Sequence, residues 1–350
     1  MPIRIANVLN GLEAPYRHTI VTLDGAADAS DRLDPALDVA VVDPAIDKRR
    51  PLAAFARIDR RLRELKPDLL LTYNWGAVEW ALVNRFRAGV RHIHFESGFG
   101  VEEAERQIPR RTWLRRIALA RSQWLVVPSR TLVSISRDVW RIDPAKVRYV
   151  PNGVDLDRFA CPPEPGIAAG FDKQDGELIV GTVAPLRPEK NVARLIRAFA
   201  GLGRDRPARL VIVGDGSERA SLERLASDLG IADRTVFTGY IPAPEKVLGW
   251  FDVFAISSDT EQMPNAVLQA MANGRAVAGV DVGDVRHIIC PENRPLIAPR
   301  GSDEGLRDAI AKLLSDDALR AELGRANVRH VREHYAQDQM FRTYAELFAG

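Results

Sequence analysis
Along this chain, short β-branched and aliphatic runs alternate with stretches whose apolar positions recur every three or four residues. That is the pattern of βαβ units built on parallel sheets. In the first half the runs predict strands at Ile3–Leu9, His18–Asp24, Val39–Val42, Leu69–Tyr73, His92–Glu96, Trp124–Val127 and Val147–Val150. Helices are predicted over Leu52–Leu65, Ala77–Phe86, Thr112–Arg121 and Leu132–Trp140. Pro151-Asn152-Gly153 breaks the chain, and Cys161-Pro162-Pro163-Glu164-Pro165-Gly166 reads as a linker. A second series follows, with strands at Leu178–Val183, Ala208–Val213, Val236–Gly239, Phe254–Ser257, Ala276–Val280 and Pro295–Ile297. Its helices are Asn191–Leu202, Ser217–Asp228, Asn265–Ala272, Gly305–Leu314 and Ala318–Glu333. The expected architecture is α/β, two Rossmann-like domains in tandem over residues 1–158 and 159–332.

One link breaks the pattern. Only Asn10 to Arg17 separate the predicted strands ending at Leu9 and beginning at His18, whereas a parallel crossover takes roughly a dozen residues or more. Either these two strands run antiparallel, or the first crossover helix of this domain is missing.

A length of 350 residues exceeds one typical domain, and a composition 46% hydrophobic and 27% charged excludes wholesale disorder. No apolar run approaches the roughly 20 residues that span a bilayer, and the first ten residues lack the apolar stretch of a signal peptide. Two cysteines, Cys161 and Cys290, are too few for a disulfide framework, and no His/Cys group has zinc spacing. A reducing cytoplasm is therefore expected. A net charge of +2 argues against a nucleic-acid binder. The charge is uneven: residues 1–160 hold 26 Lys/Arg against 20 Asp/Glu, and residues 161–350 hold 23 against 27. The basic first half suits an anionic partner.

Candidate chemistry gathers at the C-terminal ends of the predicted strands, where open α/β sheets bind ligands. Arg187 and Lys190 follow Leu178–Val183, and Gly214-Asp215-Gly216 follows Ala208–Val213. This turn lacks the third glycine of a dinucleotide fingerprint, because Arg219 stands there. Tyr240 and Ile241 follow Val236–Gly239, and Glu261, Met263, Pro264, Asn265 and Ala266 lead into the next helix. Lys190 offers a point charge and Arg187 a planar fork for phosphate oxygens. A helix starting near Pro264 offers the N–H groups of Asn265 and Ala266 as an anion site. In the first half, alternation places His92, His94 and Glu96 on one face of a strand. Asn74 stands in the loop after Leu69–Tyr73, on the same edge.

Taken in order, the Pro151-Asn152-Gly153-Val154-Asp155 link, the Gly214-Asp215-Gly216 turn, the Glu261-x-x-Pro264 segment and the Val282-Gly283-Asp284 loop resemble the retaining family-4 glycosyltransferases of GT-B fold. The resemblance is dense over the second domain and looser over the first. It implies a GT-B fold, with two Rossmann-like domains whose parallel sheets face a central cleft and a final helix, within residues 333–350, that returns to the first domain. It implies transfer of a sugar from a nucleotide-diphosphate donor, with retention, to a glycan, lipid-linked or small-molecule acceptor, with no cofactor and no essential metal. The roles carried over are Lys190 and Arg187 on the diphosphate, Glu261 on the sugar, Gln269 on the ribose and His94 beside the reacting centre. Gly214, Tyr240, Ile241, Met263, Asn265 and Ala266 line the donor, and Asn74 and Glu96 face the acceptor side.

Three positions depart from the family pattern. Pro185 stands where the arginine five residues before Lys190 is expected, and Gln269 replaces the second carboxylate of the Glu–seven residues–Glu pair. The short link after Leu9 leaves no room for the family's Gly-rich loop and first helix. These departures keep open a second reading, a non-catalytic or weakly active sugar-nucleotide or glycan binder on the same scaffold. A GT-B phosphorylase or synthase is a third. The segment Arg106–Arg121 combines six arginines with Trp113, Leu114, Ile117 and Leu119, which suits weak peripheral contact with the inner face of a membrane, although such a face is also commonly just solvated.

Overall fold
A computed structural model gives the fold of residues 2–12, 16–23, 32–43, 46, 49–99, 103, 107–167, 171–204 and 207–350. The chain forms two compact units, Met1–Pro151 with Asp338–Gly350, and Asn152–Gln337.

The first unit opens with helix α1 (Pro2–Asn10), followed by strands β1 (His18–Val21) and β2 (Val39–Val42), helix α2 (Pro51–Leu65) and strand β3 (Leu69–Tyr73). Then come α3 (Val78–Val83), β4 (Arg91–Phe95), α4 (Pro109–Leu119), β5 (Trp124–Val127), α5 (Arg130–Asp138) and β6 (Val147–Tyr149). Among the described residues β1 and β2 pair in parallel, and β3-β4-β5-β6 form a second parallel sheet in that order.

The expectation of a strand at Ile3–Leu9 is corrected: these residues lie in α1. Ile5, Val8, Leu9 and Leu12 are spaced three and four apart, the repeat of a helix face. Val8, Leu9 and Leu12 are buried in one cluster with Ile93 and Phe95 of β4. A helix thus stands before β1, so the link after Leu9 does not join two strands. Residues 13–15 of the link lie outside the described residues, as do Gly100 and Arg106.

The second unit contains α6 (Leu156–Phe159), β7 (Leu178–Val183), α7 (Val192–Ala200), β8 (Ala208–Val213), α8 (Arg219–Asp228) and β9 (Thr235–Gly239). It continues through α9 (Glu245–Leu248), β10 (Val253–Ile256), α10 (Asn265–Ala272), β11 (Ala276–Val280), α11 (Val285–Ile288), β12 (Ile297–Ala298), α12 (Asp303–Ser315) and α13 (Asp317–His334). Among the described residues its six strands are parallel in the order β12-β11-β10-β7-β8-β9. Strands buried on both faces read as unbroken apolar runs, and every residue of β10 and β11 is buried. The chain leaves β7 toward β8 and β9, then returns to β7's other side with β10. The order reverses between β7 and β10, the place where such sheets open a crevice at their C-terminal ends.

The closing helix α14 (Gln337–Ala349) belongs, from Asp338 on, to the first unit. Met340, Tyr344, Leu347 and Phe348 bury their side chains with Phe95 and Val126. Arg91 fastens its end by donating to the carbonyls of Leu347 and Phe348 at 2.7 and 2.8 Å.

Candidate active site
In the second unit a pocket of about 230 Å³ opens at this reversal point. Thr182 and Val183 line it from β7 and Phe254 and Ile256 from β10, with Pro185, Lys190, Ser258, Glu261, Met263, Pro264, Asn265 and Ala266 around them. Lys190 Nζ donates to Glu261 Oε1 at 2.6 Å, and Ser258 Oγ donates to the same oxygen at 2.7 Å. The two loops that carry this pair are tied together. Asp259 N–H donates to the Glu189 carbonyl at 2.9 Å, Asn191 Nδ2 to Asp259 Oδ2 at 2.9 Å, and Ser257 Oγ to the Lys190 carbonyl at 3.2 Å. Buried Arg194 donates to the Ser257 carbonyl and pairs with Asp259 at 2.8 Å and Asp303 at 2.9 Å.

Beneath Glu261 runs the Val282-Gly283-Asp284 turn. A Cβ on Gly283, whose φ is +54°, would lie 2.0 Å from the Glu261 carbonyl oxygen, so only glycine lets the turn approach this closely. Asp284 N–H completes the contact by donating to the Gln262 carbonyl at 2.9 Å.

Asn265 is the first residue of α10 and Pro264 its cap, so Pro264 stands one position outside the helix rather than in its first turn. First-turn N–H groups have no partner inside a helix, and those of Asn265 and Ala266 belong to residues that line the pocket. Asn152, from the Pro151-Asn152-Gly153 link, fixes this start. It donates through its N–H to Met263 Sδ at 3.1 Å and through Nδ2 to Asn265 Oδ1 at 2.8 Å. Sequence reasoning treated Asn152 only as part of a link and Ser258 only as part of a loop.

The other sequence candidates fall around this pocket. Gly214 joins the ends of β8 and β9, donating to the Gly239 carbonyl at 2.9 Å. Beyond β9, Tyr240 is exposed and Ile241 buried. Arg187 is exposed on the loop before Lys190, outside the pocket lining. Gln269 is half-buried one turn into α10, also outside the lining.

In the first unit His94 is fully buried on β4, in register with Thr72 of β3. Thr72 Oγ1 lies 2.7 Å from His94 Nδ1 and 2.7 Å from His92 Nε2, and His92 Nδ1 lies 2.8 Å from Ser122 Oγ. Burial, with the neighbouring His94 ring, pushes the His92 imidazole down to about 3. Glu96 is also fully buried, with Oε2 3.9 Å from His94 Nε2 and 3.5 Å from Arg115 Nε. His94 Nε2, Arg115 Nε and both Glu96 oxygens have no hydrogen-bond partner among the described residues.

Arg115 meets Glu103 through both terminal nitrogens, at 3.0 and 3.1 Å, and lies over the rings of Trp75, Phe99 and Trp140 at 5.0, 5.4 and 4.8 Å. Burial alone would raise the Glu103 carboxyl. The Arg115 hydrogen bonds and charge, with the Ile108 N–H and Arg111, outweigh it and hold the group below its usual range. Asn74 Oδ1 accepts from the Ser97 N–H at 2.8 Å, tying the loops after β3 and β4. Within the arginine-rich segment, Arg111 and Arg115 hold Glu103, and Arg116 donates to the carbonyls of Val139 and Trp140. Trp113 is 59% exposed. No helix of the described residues is long and apolar enough to cross a membrane, and no three His, Cys, Asp or Glu side chains among them converge as metal ligands do.

Residues 167–330 match the model of the Glycosyl transferases group 1 family, and residues 3–158 that of Glycosyltransferase Family 4. A GDP-mannose-dependent alpha-(1-6)-phosphatidylinositol monomannoside mannosyltransferase of Mycolicibacterium smegmatis is 32% identical, over 75% of this chain and 72% of its own length. The chain belongs to the family-4 glycosyltransferases of GT-B fold.

A GDP-mannose-dependent alpha-mannosyltransferase of Mycobacterium tuberculosis is 34% identical over 66% of the chain. Against that protein and several other curated relatives the match spans 44–61% of their length. In fold, Anabaena Alr3699/HepE in complex with UDP superposes with a TM-score of 0.82 at 16% identity, covering 100% of this chain and 97% of that one. Two Rossmann-like units with parallel sheets are the family's architecture. The sequence resemblance, read from loops at the strand ends of the second unit, pointed to the same family.

Proposed function
We propose that this family-4 chain is a hexosyltransferase that moves a sugar, with retention, from a nucleotide-diphosphate donor to a glycan or lipid-linked acceptor. The observation that carries this reading is Lys190 Nζ 2.6 Å from Glu261 Oε1 in the pocket at the β7/β10 reversal, with the first residues of α10 beside them. The GDP-mannose dependence in the names of two relatives and the UDP in the complex of one structural neighbour support a nucleotide sugar as donor.

In this reading the donor diphosphate takes the Lys190 ammonium from Glu261 and lies against the N-terminus of α10. The bond from the anomeric carbon to the phosphate oxygen breaks, the acceptor oxygen bonds to that carbon, and the acceptor proton leaves with the diphosphate. Lys190 acts where charge builds on the leaving group. Glu261, released from Lys190, accepts from sugar hydroxyls, and Gln269 serves the ribose through its amide. The chemistry needs no metal, because a cation and helix N–H groups already meet the phosphate.

Thermal shifts against a panel including GDP-mannose and UDP-glucose identify the donor, since ligand binding stabilises by mass action. Transfer assays with that donor then read the product's anomeric configuration by NMR, with and without excess EDTA. We expect retention and undiminished turnover in EDTA. Inversion refutes the stereochemical claim, loss of turnover restored by magnesium refutes the metal-free one, and donor binding without transfer favours the non-catalytic reading.

A further inference from the structure
Helix α4 turns one side inward, where Arg115 is closed by Glu103, and leaves Trp113 59% exposed on the other. Arg110, Trp113, Arg116, Ile117 and Ala120 follow one another three and four apart, so they form one stripe along the helix. All but the half-buried Ile117 are exposed. The turn Asn84–Ala88, which continues α3, lies against this stripe. Arg85 donates to the Ile117 carbonyl, and Arg121 donates to the Arg85 carbonyl at 3.3 Å. The Arg85 guanidinium lies 5.2 Å from the Phe86 ring, itself 65% exposed. Lys146 donates to the Ala120 carbonyl at 2.8 Å.

Two exposed rings therefore stand among Arg85, Arg87, Arg110, Arg116, Arg121 and Lys146, and none of these cations has a carboxylate within ion-pair distance among the described residues. Other arginines of the unit are paired: Arg61 with Glu64, Arg63 with Asp59, Arg137 with Asp138, and Arg111 and Arg115 with Glu103. A cation that answers no carboxylate of its own chain keeps its charge for a partner. A second copy of the chain would set like charge against like across a two-fold contact. A soluble acidic chain would meet the cations and leave both rings in water. A bilayer with anionic lipids meets both, because arginine and lysine gain at its negative surface and aromatic rings gather at headgroup level.

We propose that this face of α4, with the Asn84–Ala88 turn, docks the first unit on an anionic lipid bilayer. Trp113 and Phe86 enter the headgroup layer, and the cations around them lie against lipid phosphates. Long arginine stems cover apolar neighbours while their heads reach the anions. At 11 residues α4 is far too short to cross a bilayer, so it lies in the plane of the surface. The donor pocket belongs to the second unit and shares no residue with this face, so the docking does not rest on the transferase reading.

Sedimentation of the full chain with vesicles, either phosphatidylcholine alone or equal parts phosphatidylcholine and phosphatidylglycerol, reads this docking. The chain is expected on the mixed vesicles and not on the neutral ones, and added salt should release it by screening the surface charge. Arg87→Ala/Arg110→Ala removes two exposed cations and should weaken binding about 25-fold, roughly fivefold for each cation near such a surface. Arg87→Lys/Arg110→Lys keeps the charge and should keep the binding. Trp113→Ala/Phe86→Ala, with charge unchanged, should weaken binding about tenfold through lost apolar burial. All three variants change exposed side chains and should melt as wild type does. Equal binding to neutral vesicles, no binding to mixed ones, or binding untouched by loss of the arginine pair or of the aromatic pair overturns the proposal. A wild-type chain that doubles its mass in solution, while Trp113→Ala/Phe86→Ala stays single, gives the face to a second copy and also overturns it. Polyglutamate bound as tightly as the mixed vesicles gives it to an acidic chain, with the same result. The assay holds no sugar donor, so a chain that docks as expected and transfers no sugar upholds the docking and refutes the transferase reading alone.

Discussion
Arg115 of the first unit and Lys190 of the second are both cations paired with glutamate, and their surroundings give them opposite uses. The Arg115 side chain is 1% exposed, gripped by Glu103, close to Glu96 and enclosed by three aromatic rings. The Lys190 side chain is 22% exposed and shares its carboxylate with a serine at an open pocket. A planar fork buried among rings and carboxylates has no solvent to retreat to. An ammonium at a pocket mouth can change partner at small cost. The first pair holds the fold, and the second is placed to meet a ligand.

The largest effect should come from breaking the closed pair. Arg115→Ala leaves Glu96 buried without its cation and Glu103 with Arg111 alone, and removal of one partner from a buried pair costs about 3–5 kcal/mol. Denaturant unfolding should show that loss in the first unit, while nucleotide affinity, seated in the second, stays near wild type. A wild-type midpoint for Arg115→Ala would mean that the cluster does not hold the fold.

Acid should act on the same unit. An imidazole held to about 3 when folded and near 6.5 when unfolded takes its proton only on unfolding between those values. Stability therefore falls as pH drops through that window, by up to ~1.4 kcal/mol for each pH unit crossed. Glu103, held low, adds to the loss only as pH falls below the ordinary carboxylate range. His92→Gln should flatten the upper part of the curve. Equal slopes for wild type and His92→Gln between pH 6.5 and the carboxylate range would show that His92 does not carry it.

The contrast between the two pairs was only half legible in the sequence. Around Lys190 and Glu261, strands buried on both faces read as unbroken apolar runs, and Gly214, Pro264 and Gly283 mark the turns at their ends. The chemistry there lies in short loops beside recognisable strands. Arg115 is different. It is one of six arginines in a short segment, and nothing local distinguishes it from Arg110 or Arg121. Its burial depends on Glu96, Glu103 and Trp140, brought near by the fold. The same holds for Thr72, which reads as a strand residue until β3 and β4 pair in register. At the amino end the failure was one of period: Ile3 and Ile5 alternate like a strand, while Ile5, Val8, Leu9 and Leu12 repeat like a helix, and the buried face follows the second pattern.

In the second unit the effect should appear in catalysis rather than in folding. Lys190→Ala removes a charge that matters most when the leaving diphosphate is most negative. It should lower kcat about a hundredfold, the scale of one electrostatic group aimed at a transition state, while donor affinity changes less. Ser258 still donates to Glu261 in the variant, so stability should stay close to wild type. Transfer rates beside calorimetric dissociation constants measure the split. Turnover untouched by Lys190→Ala would take Lys190 out of the mechanism.

The smallest effect tests how far the ligand reaches along α10. Gln269 lies four residues after Asn265, hence on the same helix face one turn deeper, half-buried and outside the pocket lining. A nucleotide whose phosphate meets the start of α10 can place its ribose over that next turn. There an amide offers one acceptor oxygen, and a carboxylate offers two that carry charge. Gln269→Glu should therefore tighten donor binding by about 1 kcal/mol, the scale of one net hydrogen bond. Free mannose or glucose, which lacks the ribose, should bind as it does to wild type. Calorimetry with the nucleotide sugar, the nucleoside diphosphate and the free sugar separates these contributions. Equal tightening for all three would assign the effect to general charge, and no tightening for any would place the ribose away from α10.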